Sequence, residues 1–325
     1  MSTSLNDTVS EIYNELCKLN DAKINDAVNS RSRLKRILTN PRVLIWLVKR
    51  ALMYKFNDYG KIYSRNKNLF NRVNNEPNNF KPVYKKIPDL KIAVYTSITG
   101  GYDDLKDPFY VDDNLDYYAF TDEHTHVHSS VWKEIKIIGC PENLSNAQKN
   151  RYVKLNADDF LKLTGRDYDY SIYIDGTIRI TCDIKPLVYS LHDSGKSLAL
   201  HMHSVRDCVY MEAVALFIFG ILNYDDVKKQ MDVYKSEGFP ENFGLFENPV
   251  MIRKSHDSEL NSIMLDWWAQ LNKYTVRDQL SLPYVLWKHG LDKSYVFSLG
   301  NNFNKNFYFV KYPHAKKFER EVIFG

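Results

Sequence analysis

The 325-residue chain (38.1 kDa) is ordinary in apolar (44%) and charged (26%) content, the profile of a globular protein with one large domain or two modest ones. Its net charge of +4, without any nucleic-acid-binding pattern, excludes nucleic acid as the expected partner. Four scattered cysteines (Cys17, Cys140, Cys182, Cys208) form no CxxC pair, which excludes a zinc ribbon or a disulfide framework.

The N-terminal MSTSLNDTVSEIYNEL lacks a basic run followed by an apolar core, and no apolar run reaches ~18 residues. The expectation is a cytoplasmic chain with no spanning segment. Ile12, Leu16 and Leu19 fall at helical spacing. Between residues 31 and 67 the charges are basic except for Asp58. Within that stretch PRVLIWLVKRALMYKF predicts a helix opened by Pro41. A basic helix carrying Trp46 and a broad apolar face suits the interface of an anionic membrane, on the inner face of the cytoplasmic membrane. The alternative is a helix docked on the rest of the chain with its lysines in water. Asn- and Pro-rich residues 71–90 form a linker. Residues 1–85 are thus expected to be a helical, basic region and residues 86–325 a separate domain.

After the linker, strands alternate with helices. Strands are expected at 91–98, 115–122, 131–138, 168–176, 197–203 and 248–254. Helices are expected at 145–163, 207–221, 224–237, 257–271 and 277–289. This order predicts an α/β fold with a mostly parallel sheet flanked by helices.

The sharpest chemical feature is SIYIDGTIRI, where a buried strand ends at Asp175-Gly176. Ligands of open α/β sheets collect at the carboxyl ends of strands, so Asp175 belongs at the edge of a crevice. A carboxylate there can hold Mg²⁺ or Mn²⁺ on a diphosphate; an Asp-Gly turn in a hairpin is the plain alternative. Gly176 would admit a close ligand. At the end of the first strand, Thr96, Ser97 and Thr99 offer hydroxyls and Gly100-Gly101 permits close approach, with Tyr102 next. There is no GxGxxG spacing and no P-loop lysine, so neither a dinucleotide fold nor an NTPase is indicated. Asp122 ends the second strand at the same edge. Arg151 and Lys154 share a helix face suited to pyrophosphate, or to water. His201 and His203 alternate on a strand, as metal ligands can. Arg206, Glu247, Arg277 and Asp278 are further polar candidates.

Taken in order, YTSITGGYDDL, YYAFTD, NRYVKL, YDYSIYIDGTIRI, HSVRDCVYMEA, GLFENPVMIRKSH and RDQLSLPYVLW resemble a glycosyltransferase-like family. That family is known from plant proteins linked to seed mucilage and turgor regulation and from bacterial polysaccharide loci. The resemblance covers roughly residues 91–290. It implies a GT-A-like nucleotide-sugar-binding sandwich with a divalent cation, Mn²⁺ or Mg²⁺, held by a D-x-D motif. Here the pattern is Asp175-Gly176-Thr177, without the second acid. Asp175 with His201 and His203 is then the expected metal set, with Asp122 a further candidate.

The implied activity is sugar transfer from a nucleotide-sugar donor to a hydroxyl of a glycan or glycolipid acceptor, as in capsule or O-antigen synthesis. The donor would meet Thr96, Ser97, Thr99, Gly100, Gly101, Tyr102, Asp122, Arg151, Lys154, Asp175, Gly176, Arg206 and Arg277. Asp278 or Glu247 would face the acceptor, one of them as the general base if the reaction inverts configuration. The rival readings are a glycoside hydrolase using the same acids and a non-catalytic scaffold in a polysaccharide assembly complex.

Overall fold

The computed structural model describes residues 78–218, 221–312 and 314; the expected helices and basic stretch before residue 78 lie outside them. The described residues fall into two compact units, one of residues 78–204 with 244–314 and one of residues 205–243. The second interrupts the first in sequence.

The larger unit is a mixed sheet with helices. Its strands are β1 (Ile92–Ile98), β2 (Leu115–Thr121), β3 (Lys133–Lys136), β4 (Tyr170–Ile174), β6 (Leu198–Met202), β7 (Phe246–Lys254) and β8 (Phe297–Ser298), in the order β3-β2-β1-β4-β7-β6-β8. All pairings are parallel except those of β7, which runs against both β4 and β6. The expected α/β, mostly parallel sheet is therefore what forms, and β7 is the one strand whose direction the sequence did not indicate. A two-stranded sheet pairs β5 (Ile178–Ile180) with β9 (Phe309–Lys311).

β1 and β4 are buried at every position, as near-continuous apolar runs require when both faces are covered. The core joins Val94, Ile172, Ile174, Ala199, Val250 and Ile252 from four adjacent strands to Leu187 and Leu191 of α3 (Lys185–Asp193), a helix not foreseen in the sequence. The single helix expected over 145–163 is two. α1 (Asn146–Leu155) opens on a Ser145 capping box with Gln148 and ends at Asn156, where α2 (Ala157–Lys162) begins.

The smaller unit contains α4 (Val209–Ile218) and α5 (Tyr224–Ser236), and Tyr210 Oη donates to Phe239 O at 2.8 Å. Back in the larger unit, α6 (Ser258–Lys273) starts at the Asp257 cap, and α7 (Asp278–Lys288) starts just after Arg277. Among the described residues, no helix is long and apolar enough to cross a membrane.

Candidate active site

Three segments distant in sequence place charged side chains together at the carboxyl end of β4. Asp175 follows the last residue of β4, and its N–H donates to Pro249 O of β7 at 2.8 Å. Lys154, in the last turn of α1, is only 1% exposed. Its ammonium donates to Asp278 Oδ2 at 2.6 Å and to Asn248 O at 2.6 Å, lies 3.9 Å from Asp175 Oδ1, and stands 4.8 Å above the Tyr173 ring. Arg151, one turn earlier, brings Nε to 3.9 Å from Asp278 Oδ2. The sequence placed Arg151 and Lys154 on one basic face. The structure keeps that face but drives Lys154 into the interior, where it is the centre of an ion-pair network.

The end of α1 is held from below. Tyr95 Oη donates to Lys154 O at 2.8 Å and Arg253 Nη1 to Leu155 O at 3.1 Å. A cation at a helix C-terminus is favourably placed against the helix dipole. Burial without a carboxylate partner pulls the Arg253 guanidinium pKa down to about 9.

Asp278 is the first residue of α7, near the positive end of that helix dipole. Trp267 of α6 fixes the turn, its indole N–H donating to Asp278 O at 3.2 Å and Ser281 Oγ at 3.1 Å. Burial pushes the Asp278 pKa up; the charges of Lys154 and then Arg151 overcome this and hold it at about 2. At that pKa Asp278 is a weak base already bonded to an ammonium, which favours a positioning role over that of general base. It anchors the two cations. Burial lowers the Arg151 pKa, but Asp278 and then Asp175 outweigh it and keep the guanidinium firmly charged.

Several polar atoms here are buried and without a protein partner: Arg151 Nε, Arg277 Nε and both side-chain atoms of Asn248. Buried polar groups in native proteins are nearly always paired, so such a cluster marks where a ligand's polar atoms can sit.

The loop after β1 is built differently from the expectation. Gly100 and Gly101 have positive φ (66° and 54°), and a Cβ on Gly100 would fall 2.2 Å from Asn146 Nδ2. The Gly100 N–H donates to Asp122 Oδ2 at 2.7 Å and the Gly101 N–H to Thr125 Oγ1 at 2.8 Å. Asp122 also accepts from Thr125 at 2.6 Å, so both its oxygens are engaged in securing the loop. Thr99 Oγ1 donates to Asn146 O at 2.7 Å, tying the loop to α1. The hydroxyls of Thr96 and Ser97 are buried without partners. Gly100→Ala is expected to cost about 1–3 kcal/mol by adding a left-handed alanine to the clash, read as a lowered midpoint in urea unfolding. Gly176 is closely packed by Ile98 and Asp103, each within 3.5 Å of where its Cβ would lie, so a side chain there would make these neighbours give way slightly.

His201 and His203 do not join Asp175. β7 lies between β4 and β6, which puts their strands about 10 Å apart. His201 is 2% exposed, its ring edge-on to Phe303, and burial pulls its pKa down to about 3. His203 is half-buried, with its N–H donating to Leu245 O at 2.9 Å. Among the described residues, no group of three or more His, Cys, Asp or Glu could hold a metal ion. The expected three-ligand set is therefore not assembled, and Asp175 is the one member of it beside the cationic network. Arg206 belongs to the smaller unit, where its Nε donates to Glu212 Oε2 at 2.5 Å.

Glu247 is half-buried and accepts from Ser204 N–H at 3.1 Å and Ser204 Oγ at 3.0 Å, leaving its other oxygen to act. Two groups escaped notice in the sequence. Asp103 lies beside Gly176 and pairs with His314 Nδ1 at 2.8 Å, with the Tyr102 ring 4.9 Å from the imidazole. Burial and then Asp103 push the Tyr102 hydroxyl pKa up, while Arg277 opposes them. Only DD in a loop and a lone C-terminal His encode this pair, so nothing local could announce it.

With this geometry established, comparison with known proteins is informative. Residues 81–314 match the TOD1/MUCI70 glycosyltransferase-like domain. The chain belongs to that family. Over 254 residues it is 23% identical to a protein of Arabidopsis thaliana described as "Probable hexosyltransferase MUCI70", covering 70% of this chain and 43% of that protein. The chain thus spans less than half the length of that TOD1/MUCI70 relative. Solved structures that resemble it include the WbbM bifunctional glycosyltransferase in its apo state (TM-score 0.38, 13% identity, 66% of this chain and 40% of that one). The glycosyltransferase GlyE of Streptococcus pneumoniae gives a TM-score of 0.35 at 13% identity, over 65% of this chain and 45% of that one.

Proposed function

We propose that this chain is a glycosyltransferase that moves a hexose or related sugar from a nucleotide-sugar donor to a hydroxyl of a glycan acceptor. The observation that carries the reading is the cationic network at the end of β4. Lys154 and Arg151 lie against Asp175 and Asp278, the charge of Arg277 acts on Asp278, and the Nε atoms of both arginines are buried without a hydrogen bond. Membership of a glycosyltransferase-like family supports it.

In this reading the diphosphate of the donor sits against Arg151 and Arg277, whose planar forks suit phosphate oxygens. Lys154, held by Asp278 and Asn248 O, supplies fixed positive charge as the nucleoside diphosphate departs. Tyr102 and the loop at Gly100 and Gly101 border the nucleotide. Glu247 is the remaining candidate for receiving the acceptor proton, since Asp278 is committed to Lys154. A divalent cation would bind through Asp175 and neutralise charge on the leaving diphosphate. The described residues supply no three-ligand set for it, so no step here depends on the ion.

The acceptor is proposed to be a surface polysaccharide, capsule or O-antigen, or a glycolipid, with the enzyme in the cytoplasm at the inner face of an anionic membrane. A thermal-shift screen across nucleotide sugars, with Mg²⁺ or Mn²⁺, tests the donor. At least one is expected to raise the melting temperature, because a ligand that binds only the native state stabilises it. Release of nucleotide that requires acceptor glycan would establish transfer; release without acceptor at the same rate would refute it.

A further inference from the structure

Asn248 holds Lys154 through its carbonyl, but its side chain has no role assigned so far. It is 2% exposed, and both its Nδ2 and its Oδ1 are buried without a partner. Its main-chain carbonyl and that of its neighbour, by contrast, are engaged. Asn248 O accepts from Lys154 at 2.6 Å, and the carbonyl of the next residue, Pro249, accepts from Asp175 N at 2.8 Å. On its other side Glu247 is held by Ser204.

Asn248 also sits where the sheet pairing lapses. The β4 ladder with β7 ends at the Ile174–Val250 pair, and β7 shifts register against β6 between Ala199 and His201. Such irregularities are common beside active sites, where they re-aim a side chain. An amide in a rigid frame with donor and acceptor both unmet is complementary to a group that also donates and accepts. A sugar hydroxyl does both. Phosphate oxygens at neutral pH chiefly accept, and would leave Oδ1 unmet; the basic side chains already serve them.

We infer that Asn248 hydrogen-bonds a hydroxyl of the donor's sugar and so sets which sugar is transferred, an inference that rests on the transferase reading above. The residue distinguishes the sugar and not the nucleotide. The test is calorimetry of nucleotide hexoses (UDP-glucose, UDP-galactose, GDP-mannose) and of free UDP and GDP on wild type, Asn248→Ala and Asn248→Leu, together with melting curves. Wild type is expected to bind one nucleotide hexose more tightly than its free nucleotide. Both variants should weaken that hexose at least tenfold and leave the free nucleotide within twofold. Asn248→Leu, which removes the unmet amide, should melt at or above wild type. Equal weakening of both ligands, no weakening of either, or a fall of several degrees in melting for the leucine variant would overturn the inference. Wild type binding neither ligand would instead bring down the transferase reading, and this inference with it.

Discussion

Lys154→Met is expected to destabilise the protein by about 3–5 kcal/mol, the cost of leaving a buried carboxylate without its partner. The lysine is 1% exposed and its ammonium is bonded to Asp278 and Asn248 O, both at 2.6 Å. Removing it strands Asp278 and leaves the Asn248 carbonyl with one bond fewer, while Arg151 Nε, at 3.9 Å, compensates only in part. Denaturant unfolding at neutral pH measures the loss. The pH dependence gives an independent check. Asp278 has a folded pKa of about 2 against an ordinary value near 3.8, so in wild type it contributes stability above the ordinary value. That contribution, about 2 kcal/mol, is lost as pH falls toward 2. In the variant the carboxyl is easier to protonate, so the penalty should shrink as pH is lowered from 7 toward the acid limb. A penalty independent of pH would mean that the methionine acts through packing alone.

Arg151→Ala is expected to weaken a nucleoside diphosphate 10- to 100-fold, the range for one charge-assisted contact, with a smaller effect on folding than Lys154→Met. The difference follows from position. Arg151 keeps a partly exposed side chain (23%) whose Nε comes only to 3.9 Å from Asp278 with no hydrogen bond, whereas Lys154 is enclosed and bonded to Asp278 at 2.6 Å. Titration of free nucleotide into folded variant, with the melting curve as control, separates the two. If Arg151 only balances Asp278, nucleotide affinity will not change while stability falls.

The sequence made the sheet legible where strands are buried on both faces. KIAVYTSI and YSIYI are near-continuous apolar runs, and they became β1 and β4 within two residues of the expected bounds. It also put Asp175 at a strand's end, with Arg151, Lys154, Arg277 and Asp278 as companions. The depth of the pairing was not legible. Arg151 and Lys154 look alike on a helical wheel, and only the packing of α1 against β1 and α6 encloses one and leaves the other partly exposed. The bonding of Asp122 was not legible for a related reason: an acid at a strand's edge can serve a ligand or a loop, and the Gly100 amide bonded to it is 22 residues away. His201 alternates properly with His203, but the strand order that places β7 between β4 and β6 carries no local signal. Asn248 sits in a strand-like run with nothing to mark it as unpartnered.

The cationic network around Asp175 and the Lys154–Asp278 pair is proposed to receive the diphosphate of a nucleotide sugar. Calorimetry of free nucleoside diphosphates, with and without Mn²⁺, on wild type and Asp175→Ala tests it most directly. Binding by wild type that is lost or strongly reduced in Asp175→Ala is the predicted result. No binding by wild type in either buffer, or equal binding by the two proteins, would contradict it.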